Sequence, residues 1–324
     1  MRLIGLGVIL TLSLLLAPLA AEAQRAGQVK RIGVLVGGLD AGPAFTDFRE
    51  GLRDLGYVEG DNLLVEYRFS EGKADRLPQL AADLVRLKVD VIVAVFITPT
   101  RAAHQATRSI PIVMIGAGDP VGFGLAASLA RPGGNVTGTA SYLPELGGKP
   151  LELLKEMIPN LKRVAVLWNP SNPVHAPFLK DVEPAARSLA IQLMALPAVN
   201  PEDLEGALRS AARDAAAVWV LGDAMFVGHR TRIVALAAAA GLPTLSPGRM
   251  IVEGGGLVSY GPHLPTMFRR AATYVDKILK GARPGDLPIE QPTKYDVVIN
   301  LKTAKALGLT IPQSVLLQAT HIIE

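Results

Sequence analysis

The hydrophobic residues of this chain fall into two kinds of segment that alternate along its length. Short apolar runs rich in β-branched residues, such as residues 32–36 and 89–95, have the composition of strands that are buried on both faces. Between these runs, apolar residues recur at spacings of three and four, as Phe45, Phe48 and Leu52 do, which marks one face of a helix. This alternation predicts an α/β fold with parallel sheets and helices on both faces.

Strands are predicted in the same order in both halves of the chain. The predicted strands of the first half are residues 32–36, 63–68, 89–95 and 112–115, and those of the second half are residues 164–168, 191–196, 218–221 and 243–245. Helices are predicted between them, and the helix after the third strand is expected over residues 100–109.

The two halves also resemble each other in sequence. Residues 30–36 are similar to residues 162–168, and residues 110–113 are similar to residues 242–245, each pair being 132 positions apart. Because these runs begin and end the same series of elements, we predict two similar, doubly wound, Rossmann-like lobes. Two such lobes in tandem enclose a cleft at the carboxyl ends of both sheets, where ligands bind in this architecture.

The first 23 residues have the pattern of a cleaved signal peptide. Met1 and Arg2 form a short, positively charged start, and residues 3–16 are almost wholly apolar. Ala21 and Ala23 are the small residues that a signal peptidase recognises at its cleavage site. The apolar run is shorter than the roughly 18 residues of a membrane-spanning helix. The chain has no cysteine, so no lipoprotein anchor is expected. These features predict a mature protein that is free in the periplasm.

Composition and charge argue against a nucleic-acid partner. The 33 Lys and Arg residues and the 29 Asp and Glu residues are interspersed and leave a formal net charge of +4. Nucleic-acid binding normally needs a concentrated basic surface, which this pattern does not predict. A mature chain of about 300 residues without disulfides must rely on buried cores, and its length suits two domains.

The residue patterns of common enzymes are missing from the sequence. No cysteine can act as a nucleophile, and the five histidines are far apart, with no pair at metal-ligand spacing. Scattered histidines of this kind are expected at the surface or at helix ends. Ser259 lacks the preceding glycine of a nucleophile elbow, and no GxxxxGK[ST] phosphate loop occurs. We therefore expect no catalytic residue, no metal site and no cofactor.

Candidate ligand contacts lie in the loops after the predicted strands. In parallel α/β lobes these loops contact ligands, and the helix N-termini beside them offer free N–H groups to anions. Nine residues of these loops are candidates: Asp40, Thr98, Thr100, Asp119, Asn169, Asn172, Asp223, Phe226 and Tyr260. Each also has a structural explanation, because such polar side chains cap helices and start turns, and the two aromatic rings can shield the edge of a lobe.

Five runs of residues resemble one family of proteins. They are FREGLRDLGY at residues 48–57, GDPVG at 118–122, RPGGNVTG at 131–138, GGLVSYG at 255–261, and the tail at 298–312. In these runs the chain is similar to the ABC-transporter substrate-binding family that includes tryptophan- and phenylalanine-binding members. The resemblance covers essentially the whole mature chain, and it implies a type I periplasmic binding fold with three crossovers between its lobes.

The resemblance also implies how the lobes are divided. The first lobe is expected over residues 30–137 and about 262–290, and the second over residues 138–261 and about 291–324. Helix 267–279 is expected to return to the first lobe. The glycine-rich run 133–138 is expected to form the first crossover, because glycine can absorb the dihedral changes of lobe closure.

The expected function is that of the periplasmic solute-binding component of an ABC importer, a monomer with a permease and its ATPase as partners. An amino acid is the favoured ligand, or a related amide or aromatic compound. Its carboxylate would bind Thr98 and Thr100. Its ammonium group would bind Asp223 or Asp119, and an aromatic side chain could stack on Tyr260, Phe226 or Trp168. A nucleoside, a sugar or a urea-like amide would suit the same residue types.

Two other functions stay open. A sensor that reports ligand binding to a membrane receptor would use the same closing cleft. A periplasmic enzyme on the same scaffold is disfavoured, because no nucleophile and base stand in a recognisable pattern.

Overall fold

The structure is a computed structural model that describes residues 29–38, 44–141 and 147–324. The predicted signal peptide, residues 1–23, and the candidate ligand contact Asp40 lie outside the described residues. Within these ranges the chain forms two β-sheets that pack against helices. None of the helices in the described ranges is long and apolar enough to cross a membrane.

The first sheet consists of five strands. They are β1 (Lys30–Val36), β2 (Leu63–Phe69), β3 (Val91–Val95), β4 (Ile112–Ala117) and β5 (Val136–Ala140). The helices between them are α1 (Phe45–Asp54), α2 (Leu77–Arg86) and α3 (Ile97–Ala106). The strand order is β2-β1-β3-β4-β5, and all neighbouring pairs are parallel.

The second sheet is larger and has the order β12-β11-β10-β9-β8-β6-β7. Its strands are β6 (Arg163–Trp168), β7 (Gln192–Pro197), β8 (Ala217–Val220), β9 (Thr244–Ser246), β10 (Val258–Pro262), β11 (Tyr295–Asn300) and β12 (His321–Ile323). The remaining helices are α4 (Lys149–Met157), α5 (His175–Ser188), α6 (Asp203–Asp214), α7 (Ala224–Gly228), α8 (Arg230–Ala239), α9 (Arg249–Glu253), α10 (Leu264–Leu279), α11 (Leu301–Ala306) and α12 (Gln313–Leu316).

The internal repeat of the sequence corresponds to a repeat of the fold. The order β2-β1-β3-β4-β5 matches the order β7-β6-β8-β9-β10 strand by strand. The similar runs 30–36 and 162–168 lie in β1 and β6, which hold the same position in the two sheets. The predicted α/β fold with two similar, mostly parallel sheets is confirmed.

Both faces of each sheet are buried under apolar cores. In the first sheet, Val93 faces the core that includes α1 and α10, whereas its neighbour Ala94 faces the core beneath α2 and α3. In the second sheet, Val166 faces one apolar core, and its neighbour Leu167 faces another on the opposite side of the sheet. Polar side chains are therefore confined largely to the ends of the strands.

The helix after β3 begins three residues earlier than predicted, at Ile97 rather than at residue 100. The prediction treated Pro99 as lying outside the helix. In the structure Pro99 lies in the first turn, where its missing N–H removes no intrahelical hydrogen bond.

The glycine-rich run 133–138 does not form the first crossover, and that prediction is wrong. Its last residues belong to β5, which is wholly buried and pairs with β4. Gly138 has a φ of 125° and lies against the backbone of Met114, where no side chain would fit. Residues 138–140 therefore lie in the first sheet, and the chain leaves it after Ala140. The other lobe boundaries stay a prediction.

Strand β11 runs antiparallel to β10, unlike the other strand pairs among the described residues, which are parallel as predicted. After β10 the chain forms α10, which packs on α1 over the first sheet. It then pairs with the end of β5, where the backbone N–H of Ala140 donates to the carbonyl of Glu290 at 2.8 Å. The chain returns to the second sheet at the end where β10 left it, so β11 must run in the opposite direction.

Gly51 lies on α1 where α10 packs against it, and it provides a test of this contact. A methyl group at Gly51 would lie 2.9 Å from Cβ of Ala272 and 3.2 Å from the carbonyl oxygen of Arg269. We expect Gly51→Ala to lower the free energy of unfolding by about 1–3 kcal/mol, because the added methyl group forces the two helices apart.

The control is the same substitution in an open helix. Gly206 lies on the exposed side of α6 with no atom within 4 Å of an added methyl group. Gly206→Ala should raise the free energy of unfolding by about 0.5–1 kcal/mol, because alanine is the better helix former. Denaturant unfolding measures both variants, and stabilisation by Gly51→Ala would contradict the close packing of α1 on α10.

Candidate ligand-binding cleft

The loops at the carboxyl ends of the two sheets contact each other. After β1, a methyl group at Gly37 would lie 3.4 Å from Cβ of Ala224, at the start of α7. After β4, a methyl group at Gly118 would lie 2.5 Å from Cγ1 of Val174, just before α5. Val174 also packs against an apolar core of the first sheet. The carboxyl ends of the two sheets therefore face each other across the candidate cleft.

Three of the nine candidate residues form one hydrogen-bonded cluster at this edge. Asn169 and Asn172 follow β6, and Asp223 follows β8. The Oδ2 atom of Asp223 accepts hydrogen bonds from Nδ2 of Asn172 at 2.9 Å and from Nδ2 of Asn169 at 3.3 Å. The Oδ1 atom accepts a third hydrogen bond from the backbone N–H of Met225 at 2.9 Å. The fold thus joins side chains that lie 54 positions apart in sequence.

The cluster presents an oriented negative charge. The three donors are neutral amides, so they fix the Asp223 carboxylate without neutralising it. A carboxylate offers about four acceptor positions, and one is left for a further donor. The side chain is partly exposed, so an ammonium, hydroxyl or amide N–H group of a ligand could fill that position. The described residues contain no group of three or more His, Cys, Asp or Glu side chains that could hold a metal ion.

His175 is buried beside the cluster and holds its two loops together. The sequence analysis did not identify this residue. His175 is the first residue of α5 and so lies at a helix end, as expected, but the residue is only 2% exposed. Nδ1 accepts a hydrogen bond from the backbone N–H of Asn169 at 2.9 Å, so the proton must lie on Nε2, which donates to the carbonyl of Gly222 at 3.1 Å. The imidazole therefore ties the loop after β6 to the loop after β8.

Burial lowers the pKa of His175 below its ordinary value, and the nearby negative charge of Asp223 opposes this shift. The neutral form also fits the hydrogen bonds, because a proton on Nδ1 would face the N–H of Asn169. The position of His175 in the first turn of the helix after Asn169 is the signal that could have identified it from sequence.

Two candidates have side chains committed to the interior of the protein. Thr100 is fully buried, and its hydroxyl donates to the carbonyl of Phe96 at 2.7 Å. Phe226 is also fully buried, and its ring lies parallel to that of His175 with 6.5 Å between the ring centroids. Because both side chains already have these interior partners, we leave them out of the proposed ligand contacts.

Thr98 and Asp119 lie at the carboxyl end of the first sheet. Thr98 is partly buried in the first turn of α3, whose N-terminus lacks a side-chain cap. The Oδ1 atom of Asp119 accepts hydrogen bonds from the backbone N–H groups of Gly122 at 2.9 Å and Val121 at 3.2 Å. Asp119 thus forms the turn that was its alternative explanation, whereas Thr98 stays a candidate contact.

Tyr260 contributes an aromatic surface at the same end of the second sheet. Its partly exposed ring stacks on that of Tyr295, with 5.6 Å between the centroids and 16° between the planes. Burial, and then the negative charge of Glu152, raise the pKa of Tyr260, which keeps its hydroxyl protonated. At the end of β6, the indole Nε1 of Trp168 is buried without a hydrogen-bond partner among the described residues.

Comparison with known proteins assigns the family. The family model described as ABC transporter substrate binding protein matches residues 38–323. The chain belongs to this family of substrate-binding proteins.

Individual relatives agree with this assignment. A tyrosine-binding protein from Clostridioides difficile is 28% identical over 262 residues, which cover 81% of this chain and 75% of that protein. A conserved domain protein from Vibrio cholerae is 30% identical with a TM-score of 0.85, over 91% of this chain and 100% of the other. An ABC domain in complex with L-Trp from Streptococcus pneumoniae is 25% identical with a TM-score of 0.84, over 91% and 99% of the two chains. The substrate-binding protein thus has the type I periplasmic binding fold.

The neutral state of His175 makes the stability of this substrate-binding protein depend on pH. The pKa of His175 in the folded state lies below that of the unfolded chain, which is about 6.5, so the unfolded state binds more protons in mildly acidic solution. Stability is complete above about pH 6.5 and falls as pH decreases through the lowered pKa, by at most about 1.4 kcal/mol per pH unit.

His175→Asn removes the titrating group and keeps an acceptor near the position of Nδ1. We expect it to lower stability at pH 7 but to flatten the loss of stability between pH 7 and pH 5, measured by denaturant unfolding at each pH. His321→Asn, at an exposed position near the end of the chain, should leave the slope unchanged. Equal slopes for the wild-type protein and His175→Asn would contradict this account.

Proposed function

We propose that this substrate-binding protein is the periplasmic component of an ABC importer. It binds an amino acid, or a related amide or aromatic compound, and delivers it to a permease and its ATPase. The observation that carries the proposal is the Asp223 carboxylate, which Asn169 and Asn172 orient where the two sheets face each other. Two relatives support the ligand class, since one is a tyrosine-binding protein and the other is in complex with L-Trp.

An α-amino acid matches the polar groups on the two sides of the cleft. Its ammonium group would donate to Asp223, and its carboxylate would accept from the Thr98 hydroxyl and the N–H groups in the first turn of α3. The positive end of the helix dipole and the negative Asp223 would attract opposite ends of a zwitterion. A ligand held at both ends would connect the two lobes.

Lobe closure is the proposed means of capture. The contact between Val174 and the backbone at Gly118 would form as the lobes close around a ligand and separate as they open. We propose the division into lobes given by the sequence, with residues 138–140 moved to the first lobe. Such a hinged pair of lobes allows a permease to distinguish loaded from empty protein by shape.

The remaining parts of the proposal follow from the sequence. The signal peptide at residues 1–23 would be cleaved on export and leave a periplasmic protein with no lipid anchor. The protein would act as a monomer without catalytic activity, and nucleic acid would not be a partner. In a reconstituted importer, the ligand-loaded protein should stimulate the ATPase. This stimulation would distinguish a transport protein from a sensor that reports to a receptor.

Asp223→Asn tests the role of the carboxylate. The substitution removes the charge but keeps the shape, so we expect affinity for the ligand amino acid to fall about tenfold to 100-fold through loss of a charge-assisted hydrogen bond. Calorimetry with L-tyrosine, L-tryptophan and L-phenylalanine would measure it, using protein refolded from denaturant so that carried-over ligand is lost.

The matched control is Asp203→Asn. The Asp203 carboxylate is likewise held by hydrogen bonds, which come from the backbone N–H groups of Val199 and Asn200 at 2.9 Å each, at the start of α6. This control should alter stability without altering affinity. Unchanged affinity in Asp223→Asn would remove the observation on which the proposal rests.

Gly118→Val tests closure. The new side chain would occupy the space of Val174 Cγ1, so we expect weaker ligand binding and a larger radius of gyration in small-angle scattering with ligand present. Val174→Ala in the same chain should restore much of the lost affinity, because it vacates that space. Full affinity and compactness in Gly118→Val alone would show that the contact plays no part in closure.

A further inference from the structure

Phe96 has a backbone conformation that is unusual for any residue but glycine. Its φ is 67° and its ψ is 178°, a region that is essentially restricted to glycine because a Cβ atom clashes there with the backbone. Such a conformation costs free energy and persists where the surroundings hold it. Phe96 joins β3 directly to α3, at the carboxyl end of the first sheet.

Hydrogen bonds hold this conformation from both sides. The N–H of Phe96 donates to the carbonyl of Ile115 in β4 at 2.8 Å. The carbonyl of Phe96 accepts from the backbone N–H of Thr100 at 3.3 Å and from its hydroxyl at 2.7 Å. Thr100 is fully buried, so its hydroxyl is committed to Phe96. The backbone is therefore fixed in spite of its strain.

The Phe96 ring contributes little packing to the folded core. The Phe96 side chain is 44% exposed, whereas every residue of β3 before it is buried. On one side the ring lies over Gly116, where a methyl group would be 3.3 Å from two ring carbons. A glycine at position 96 would avoid the strain and would remove a half-exposed ring, so packing alone does not explain the phenylalanine.

Phe96 lies at the edge of the first sheet that faces the second lobe. In the first sheet β3 lies between β1 and β4. The loops after those two strands are the ones that approach Ala224 and Val174 of the second lobe, at Gly37 and Gly118. Phe96 therefore lies between two contacts of the lobes, and 44% of its surface is exposed there.

We propose that Phe96 is a specificity-determining residue of the ligand site. Its ring forms an apolar wall that favours ligands with a flat, aromatic group over aliphatic ones, and Thr100 is the positioning residue that fixes its backbone. This inference rests on the proposed function, because it assumes that the cleft binds a small ligand. The strain at Phe96 is retained for binding and not for folding.

The test uses Phe96→Gly, for which stability and binding should change in opposite directions. Without ligand, Phe96→Gly should melt at a higher temperature than the wild-type protein, because glycine adopts the observed φ and ψ without strain. Its affinity for L-phenylalanine, L-tyrosine and L-tryptophan should fall about tenfold, the equivalent of one aromatic contact, with a smaller change for L-leucine and L-alanine.

Lys88→Gly is the matched control. Lys88 also has a positive φ, 50°, and it is an exposed residue just before β3, at the end of the sheet opposite to Phe96. This control should raise the melting temperature as well, but leave all affinities unchanged. Thr100→Val should reduce the preference for aromatic over aliphatic amino acids, and Thr100→Ser, which retains the hydroxyl, should restore it.

Several outcomes would overturn the inference. A lower melting temperature of Phe96→Gly would mean that the residue serves folding, and equal losses for aromatic and aliphatic amino acids would mean that it does not select. If the wild-type protein binds no amino acid but binds benzoate, and Phe96→Gly does not, the amino-acid proposal fails and the Phe96 inference is supported. A wild-type protein that binds none of these probes would overturn both.

Discussion

Parallel pairing of strands is the constraint that locates every candidate functional group of this protein. A crossover between each pair of parallel strands brings all carboxyl ends to the same edge of a sheet. Both faces of the sheets are sealed by apolar side chains, as in the wholly buried β3. Most polar side chains then lie at the strand ends, although Thr137 is buried within β5. When two such edges face each other, the residues at the strand ends come together at one candidate cleft. Asp223 and Phe96 therefore lie on facing sides of it.

The connections between the lobes are tied to the loops that meet in the cleft. At the end of β5, the hydroxyl of Thr139 accepts from the N–H of Gly116 at 3.1 Å, and the hydroxyl of Ser141, just after the strand, donates to the carbonyl of Gly116 at 2.8 Å. The returning segment is held to α10 by the two hydrogen bonds of Arg270 to Glu290, at 2.6 and 2.8 Å. Hydrogen bonds thus connect the segments that cross between the two sheets to the end of β4.

The polar cluster of the second lobe depends on a buried neutral histidine. His175 fixes the backbone of Asn169 on one side and Gly222 on the other, so the side chains of Asn169 and Asp223 meet with little freedom. The hydrogen bonds of the buried His175 ring make this arrangement rigid, because a buried group that lost its partner would go unpaired at a large cost. The Asp223 carboxylate is therefore held in one orientation by its neighbours.

The fold class, the internal repeat and the loops that hold the candidate ligand contacts follow from the sequence, because hydrophobic periodicity and strand–helix alternation are local properties of the chain. What each loop residue does depends on contacts that form only in the folded chain. Thr100 and Asp223 are equally plausible contacts in sequence, yet one donates its hydroxyl to Phe96 and the other presents a carboxylate held by Asn172. The reversed β11 and the burial of His175 escaped sequence analysis for the same reason: their partners lie in distant parts of the chain, and a hydrogen bond is known only when both of its ends are placed.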